Sequence, residues 1–128
     1  MQRLGRGDFD GPSLRRDGVW GLMFGTTWCP FSRRFQVSFE AAADAAPDRL
    51  AFVDVSDIND PLWEVLSVEV VPTLALFEGG TLRWRRGGIL GRGLSESDLM
   101  ELQAQLLQRS GAAGSPGVGP GPGTTQTP

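Results

Sequence analysis

The chain has 128 residues and a formal net charge of −3: one small domain, with no strongly basic face of the kind a dedicated nucleic-acid binder carries. It has no His and no Tyr, and its 12 basic residues are all Arg, which effectively never releases its proton. A Ser-His-Asp triad, a Schiff-base or phosphate-loop lysine and a His-ligated zinc site are therefore excluded, leaving Asp and Glu for acid–base work and the single Cys29 as a nucleophile.

Residues 1–17 are interrupted by glycines and are expected to be weakly structured, with at most one helical turn over Pro12 to Arg16. They contain no apolar stretch long enough for a signal peptide. Val19 to Phe24 is a short continuous apolar run, the pattern of a strand buried on both faces of a parallel sheet. Thr26-Thr27-Trp28-Cys29 turns into a helix with Pro30 at its first position, where a missing N–H costs nothing. Phe35, Phe39, Ala42, Ala43 and Ala46 then recur at helical spacing, and Pro47 ends the run. Leu50 to Val55 predicts a second strand. Asp60-Pro61 predicts the cap and first residue of a short helix.

Pro72 to Glu78 predicts a third strand, Gly79-Gly80 a hairpin turn, and Thr81 to Arg86 the returning fourth. Ser95-Glu96-Ser97-Asp98 predicts a capping box, flanked by Leu94 and Leu99, before a helix with Leu99, Leu102 and Leu106 on its apolar face. From Ser110 onward the chain has six Gly, four Pro and no charge, the composition of a disordered tail over 110–128. The order β-α-β-α-β-β-α predicts an α/β three-layer sandwich over residues 18–109, with a mixed four-stranded sheet.

One cysteine permits no internal disulfide. No apolar run approaches the ~20 residues that span a bilayer. The expected address is therefore cytoplasmic, where a lone thiol stays reduced, with no membrane and no nucleic-acid partner. Cys29 lies where a strand hands over to a helix. The unpaired N–H groups and partial positive charge of a helix start stabilise a thiolate, and Arg33 and Arg34 in the opening turns add positive potential. Thiols so placed are more acidic than a free thiol, with values of roughly 3.5–7.5. The competing reading of a lone Cys is a small buried hydrophobe.

Trp28-Cys29-Pro30-Phe31-Ser32 after a strand, with Val71-Pro72-Thr73 ahead of a later one, resembles the thioredoxin family. The acidic loop Asp57 to Pro61 and Gly91 to Ser95 before the last helix are also similar to that family. The likeness runs over about residues 18 to 108. It implies that Cys29 is the attacking cysteine, that Pro72 is a cis-proline facing it, and that Val71 offers its backbone to an extended substrate. Trp28, Pro30, Phe31 and Thr73 would flank that substrate. Two departures matter. Ser32 occupies the place of the resolving cysteine, and Met23 that of the buried acid which assists it. Disulfide exchange needs a second thiol to release the mixed disulfide. The resemblance therefore implies monothiol exchange with protein thiols or disulfides, released by an external thiol reductant, without a cofactor or metal. The alternative is a binding module whose groove takes extended peptide segments without redox turnover.

Cys29 to Ser32 is also similar to the Cys-Gly-Phe-Ser of monothiol glutaredoxins, which bind glutathione and iron–sulfur clusters. Trp28, Pro30 in place of Gly and the lack of a preceding Lys speak against it, and a cluster would need further thiols. Arg83, Arg85 and Arg86 around Trp84 fit a charged edge strand. Asp54, Asp57, Asp60 and Glu64 lack the glycine of a calcium loop and fit a solvated loop with a helix cap. Gly88 to Gly93 is no dinucleotide fingerprint. Trp20, Trp63 and Phe24 are expected in the core.

Overall fold

The structure, a computed structural model, describes residues 1–114, with side chains through 109. The last helix runs on through 110–114, the first residues of the expected disordered tail, and the rest of that tail, from 115 onward, lies outside the described residues. Strands β1 (Gln2–Leu4), β2 (Phe9–Asp10) and β3 (Ser13–Leu14) precede β4 (Val19–Gly25). Then follow α1 (Pro30–Ala45), β5 (Leu50–Asp54), α2 (Leu62–Val65), β6 (Thr73–Glu78), β7 (Thr81–Gly87) and α3 (Glu96–Gly114).

The main sheet is five-stranded, in the order β1-β5-β4-β6-β7. β1 and β4 both run parallel to β5, while β6 is antiparallel to β4 and β7. The apolar run Val19 to Phe24 thus occupies the centre of the sheet. Its side chains alternate between two cores. Trp20, Leu22 and Phe24 face α2, and Met23 faces α1 and α3. Alternation is invisible in the sequence because both faces are covered. Phe35, Phe39 and Ala43 carry the buried face of α1, and Leu99, Leu102 and Leu106 that of α3.

Two expectations are corrected. The sheet has five strands rather than four. Residues 1–17, expected to be weakly structured, supply β1, a helical turn at Arg6–Asp8 and the β2–β3 hairpin, which buries Phe9 and Leu14 against the α2 face. Ser13–Leu14 is strand, not helical turn. The reason is distance along the chain. β1 has a single buried residue, Leu4, and is held by pairing with Ala51 to Val53 of β5. The hairpin leans on the Gly79–Gly80 turn. The Leu14 N–H donates to the Gly80 carbonyl at 2.9 Å, and a Cβ at Gly80 would stand 2.7 Å from the Leu14 oxygen.

The helix starts keep to local chemistry. The Asp60 carboxylate accepts from the Leu62 N–H at 2.9 Å. Asp98 reaches back to the Ser95 N–H at 2.8 Å, which is half of a capping box. The other half differs: the Ser95 hydroxyl also donates to Asp98, at 3.0 Å.

Candidate functional site

Cys29 is the N-cap of α1, with extended backbone angles and no side-chain cap hydrogen bond. Its own N–H donates to Thr26 Oγ1 at 3.2 Å. Thr26 is fully buried. The Cys29 thiol is half-buried and directs Sγ to the Val71 carbonyl at 3.8 Å. The Val71–Pro72 peptide is cis. The Pro72 carbonyl accepts from the Gly88 N–H at 2.9 Å, which ties the start of β6 to the loop after β7.

A second set of bonds holds the β4–α1 loop. The Trp28 indole N–H donates to the Ser56 carbonyl at 2.8 Å, and the Thr27 N–H to Ser56 Oγ at 2.9 Å. Ser56 is fixed in turn by its N–H to Asp54, at 2.8 Å. The turn bearing Cys29 is thereby tied to the loop that follows β5.

These segments enclose an open groove of about 480 Å³ with Cys29 on its wall. Trp28, Pro30 and Phe31 line one side, Trp63 and residues 69–71 another, and the loop of residues 88–91 the third. Trp28, Ile89 and Leu90 stand exposed around it, Leu90 at 91%. Glu69 is the one charged residue among those lining it. Arg34 lies with its guanidinium 5.4 Å from the Phe31 ring centroid, and Arg33 is exposed.

Of the residues singled out from sequence, Trp28, Cys29, Pro30, Phe31 and Val71 come together in this groove. Pro72 lies buried behind it. Thr73 does not line it; its hydroxyl donates to the Val70 carbonyl at 2.7 Å, and it borders a separate depression with Ser67 and Arg85. Ser32 is fully buried, and among the described residues its Oγ has no hydrogen-bond partner. Met23 is fully buried in the apolar core that includes Phe35, Phe52 and Leu74.

Sequence reasoning missed Asp54 and Ser56 as the brace of the loop, Thr26 as the partner of the Cys29 N–H, and Glu69 in the groove. It also missed Ile89-Leu90, whose signal was present: an apolar doublet between glycines. The acidic loop is occupied with its own turns, since Asp57 accepts from the Asn59 N–H at 2.9 Å. Among the described residues no group of three His, Cys, Asp or Glu is placed to hold a metal ion. None of the described helices is long and apolar enough to cross a membrane.

No family model and no curated protein matches the sequence. Solved structures do. Thioredoxin f2 of Chlamydomonas reinhardtii superposes with a TM-score of 0.66 at 20% identity, over 82% of this chain and 94% of that one. A Plasmodium falciparum thioredoxin gives 0.66 at 16% identity, over 82% and 98%. The chain has a thioredoxin-like fold. Fasciola hepatica thioredoxin also aligns, with a TM-score of 0.59 at 26% identity, over 71% of this chain and 83% of that one. At such identities the likeness is one of fold, and the chemistry rests on the residues themselves. On this thioredoxin-like frame, the single thiol sits at the end of the central strand β4, where α1 begins.

Proposed function

We propose that this chain carries out thiol–disulfide exchange with protein partners through Cys29 alone. The observation that carries the reading is the position of Cys29: the chain's single thiol caps α1 on the wall of an apolar groove, beside the Val71 carbonyl. A helix start favours the thiolate, which is the attacking form. The Cys29 thiolate attacks one sulfur of a partner disulfide. A Cys29–partner disulfide forms, and the second partner sulfur leaves as a thiolate.

Resolution needs a second thiolate from outside the chain. Ser32 supplies an alcohol at the position that resolves the adduct in two-cysteine proteins. An external thiolate attacks the partner sulfur of the adduct, the Cys29 thiolate departs, and the partner keeps a disulfide to the external thiol. The cytoplasm, rich in small thiols, suits this cycle. Trp28, Pro30, Phe31 and Val71 would hold the partner segment, with Pro72 shaping the wall behind them.

Trapping tests the reading. Full-length protein incubated with cell extract and then quenched by alkylation should yield adducts that excess dithiol dissolves and Cys29→Ser abolishes. The exposed apolar rim of Trp28, Ile89 and Leu90 supports a second reading, a binding module without redox turnover. Partners retained equally by Cys29→Ser and wild type, with no covalent adduct in either, would decide for that reading.

A further inference from the structure

Glu69 is the one charged residue in the lining of the groove beside Cys29, which is otherwise apolar side chains, glycines and the thiol. It is exposed, and among the described residues it forms no ion pair. Arg85 borders an adjoining depression with Glu69, but its guanidinium donates to the Leu66 carbonyl at 2.6 Å. In the open groove, water serves the Glu69 carboxylate.

A partner segment changes that. To bring a disulfide to Cys29 it must lie across the groove, and it then takes water from the carboxylate. A carboxylate stripped of water without a counter-charge is costly. An apolar or acidic segment leaves it in that state, whereas a Lys or Arg beside the partner cysteine compensates it. The shape of such a side chain suits the wall: its alkyl stem packs along apolar surface while its cationic head meets Glu69.

The wider distribution of charge agrees. Every charged residue from Leu50 to Leu82 is acidic, and this stretch supplies the Trp63 and Glu69 side of the groove. Arg34 and Arg92, with Glu96, flank a separate pocket that shares only Phe31 with the groove. A basic partner residue is thus drawn to the Glu69 side and disfavoured on the Phe31 side.

We propose that Glu69 selects the partner: the groove takes an extended segment with a Lys or Arg close to its cysteine and apolar residues to cover Trp28, Ile89 and Leu90. Specificity comes as much from the penalty on acidic and uncharged segments as from attraction to basic ones. The inference deepens the thiol-exchange reading of Cys29 and rests on it for the chemistry, though not for the recognition.

The test uses two short peptides, alike except that lysines or glutamates flank a single cysteine, each loaded as a thiopyridyl disulfide. The Cys29 thiolate of the full reduced chain attacks the peptide sulfur, a Cys29–peptide disulfide forms, and the thiopyridine leaves and is read by absorbance. Dividing each rate by that of mercaptoethanol with the same peptide removes the peptides' own difference in reactivity. The wild type should prefer the lysine peptide about threefold at low salt, and the preference should fade at high salt. Glu69→Gln should abolish it and Glu69→Arg should reverse it, both with the wild-type urea midpoint, since the position is exposed. No preference in the wild type, or one that Glu69→Gln keeps, overturns the proposal and leaves the exchange reading standing. If neither peptide releases thiopyridine, the exchange reading falls instead. Fluorescence anisotropy on the Cys29→Ser chain, with labelled peptides whose cysteine is replaced by serine, then decides the selection. Tighter binding of the lysine peptide, lost when Glu69→Gln is added, supports it, and equal binding of the two peptides overturns it.

Discussion

Leu90 projects from the loop after β7 with 91% of its surface exposed, beside half-exposed Ile89. Two bare aliphatic side chains next to the thiol contribute little to folding and present apolar area to a partner. Leu90→Ser should leave the unfolding free energy within ~0.5 kcal/mol of wild type while reducing the yield of trapped partners. An unchanged yield would remove Leu90 from the binding surface. Gly93, on the other side of that loop, is constrained by shape. Its φ is +79°, and a Cβ there would stand 3.0 Å from the Phe31 Cβ. Gly93→Ala should cost about 1–3 kcal/mol in urea unfolding, and the displaced Phe31 should weaken partner capture as well. Much of the site was legible because Trp28 to Phe31 and Val71-Pro72 are short local strings. Glu69 and Ser56 were not, since Ser56 reaches Thr27 and Trp28, and Glu69 joins the groove wall, only after β4, β5 and β6 have assembled.

The last helix shows how a local signal is completed by a distant strand. Asp98 caps α3 through Ser95 and also pairs with Arg86 of β7 at 2.9 Å. Arg86 reaches Glu101 one turn further, at 2.7 Å. Burial pushes the Asp98 carboxyl up, but the Ser95 N–H and hydroxyl and the Arg86 guanidinium together hold it below the usual carboxylate range. A group whose folded value is depressed stabilises the fold above its unfolded value, near 3.9, and that contribution is lost as pH falls through the folded value. Asp98→Asn should therefore cost about 1 kcal/mol at pH 7. The gap from wild type should close as pH drops below about 4. Urea titrations at both pH values would show it, and a gap constant with pH would mean that charge on Asp98 is immaterial. The Ser-x-x-Asp string marked this helix start in the sequence. The Arg86 pairing did not show, because β7 reads only as a charged edge strand.

The two faces of the sheet are covered unequally. α1 and α3 are long and cover one face, whereas α2 has four residues (Leu62–Val65). The α2 face is completed by the N-terminal segment. Leu4, Phe9 and Leu14 are all buried there, and the Phe9 ring lies 6.3 Å from Phe24 and 5.9 Å from Phe77, centre to centre. One of the glycines that made residues 1–17 look unstructured is the hinge of this cover. Gly11 has a φ of +59° between β2 and β3. Each fully buried side chain of this size is worth about 1.5–3 kcal/mol. Three of them rival the ~5–15 kcal/mol that holds a typical domain folded. Removing residues 1–17 would also bare β5 as a new edge, with unpaired backbone groups open to other chains. The truncated chain 18–128 should therefore show no cooperative unfolding transition and a strong tendency to aggregate. Phe9→Ala in the full chain should still unfold cooperatively, about 3–5 kcal/mol less stable. A truncated chain that unfolds cooperatively within ~1 kcal/mol of the full one would show that the α2 face closes without the hairpin, and the N-terminal segment would then be an appendage to the fold.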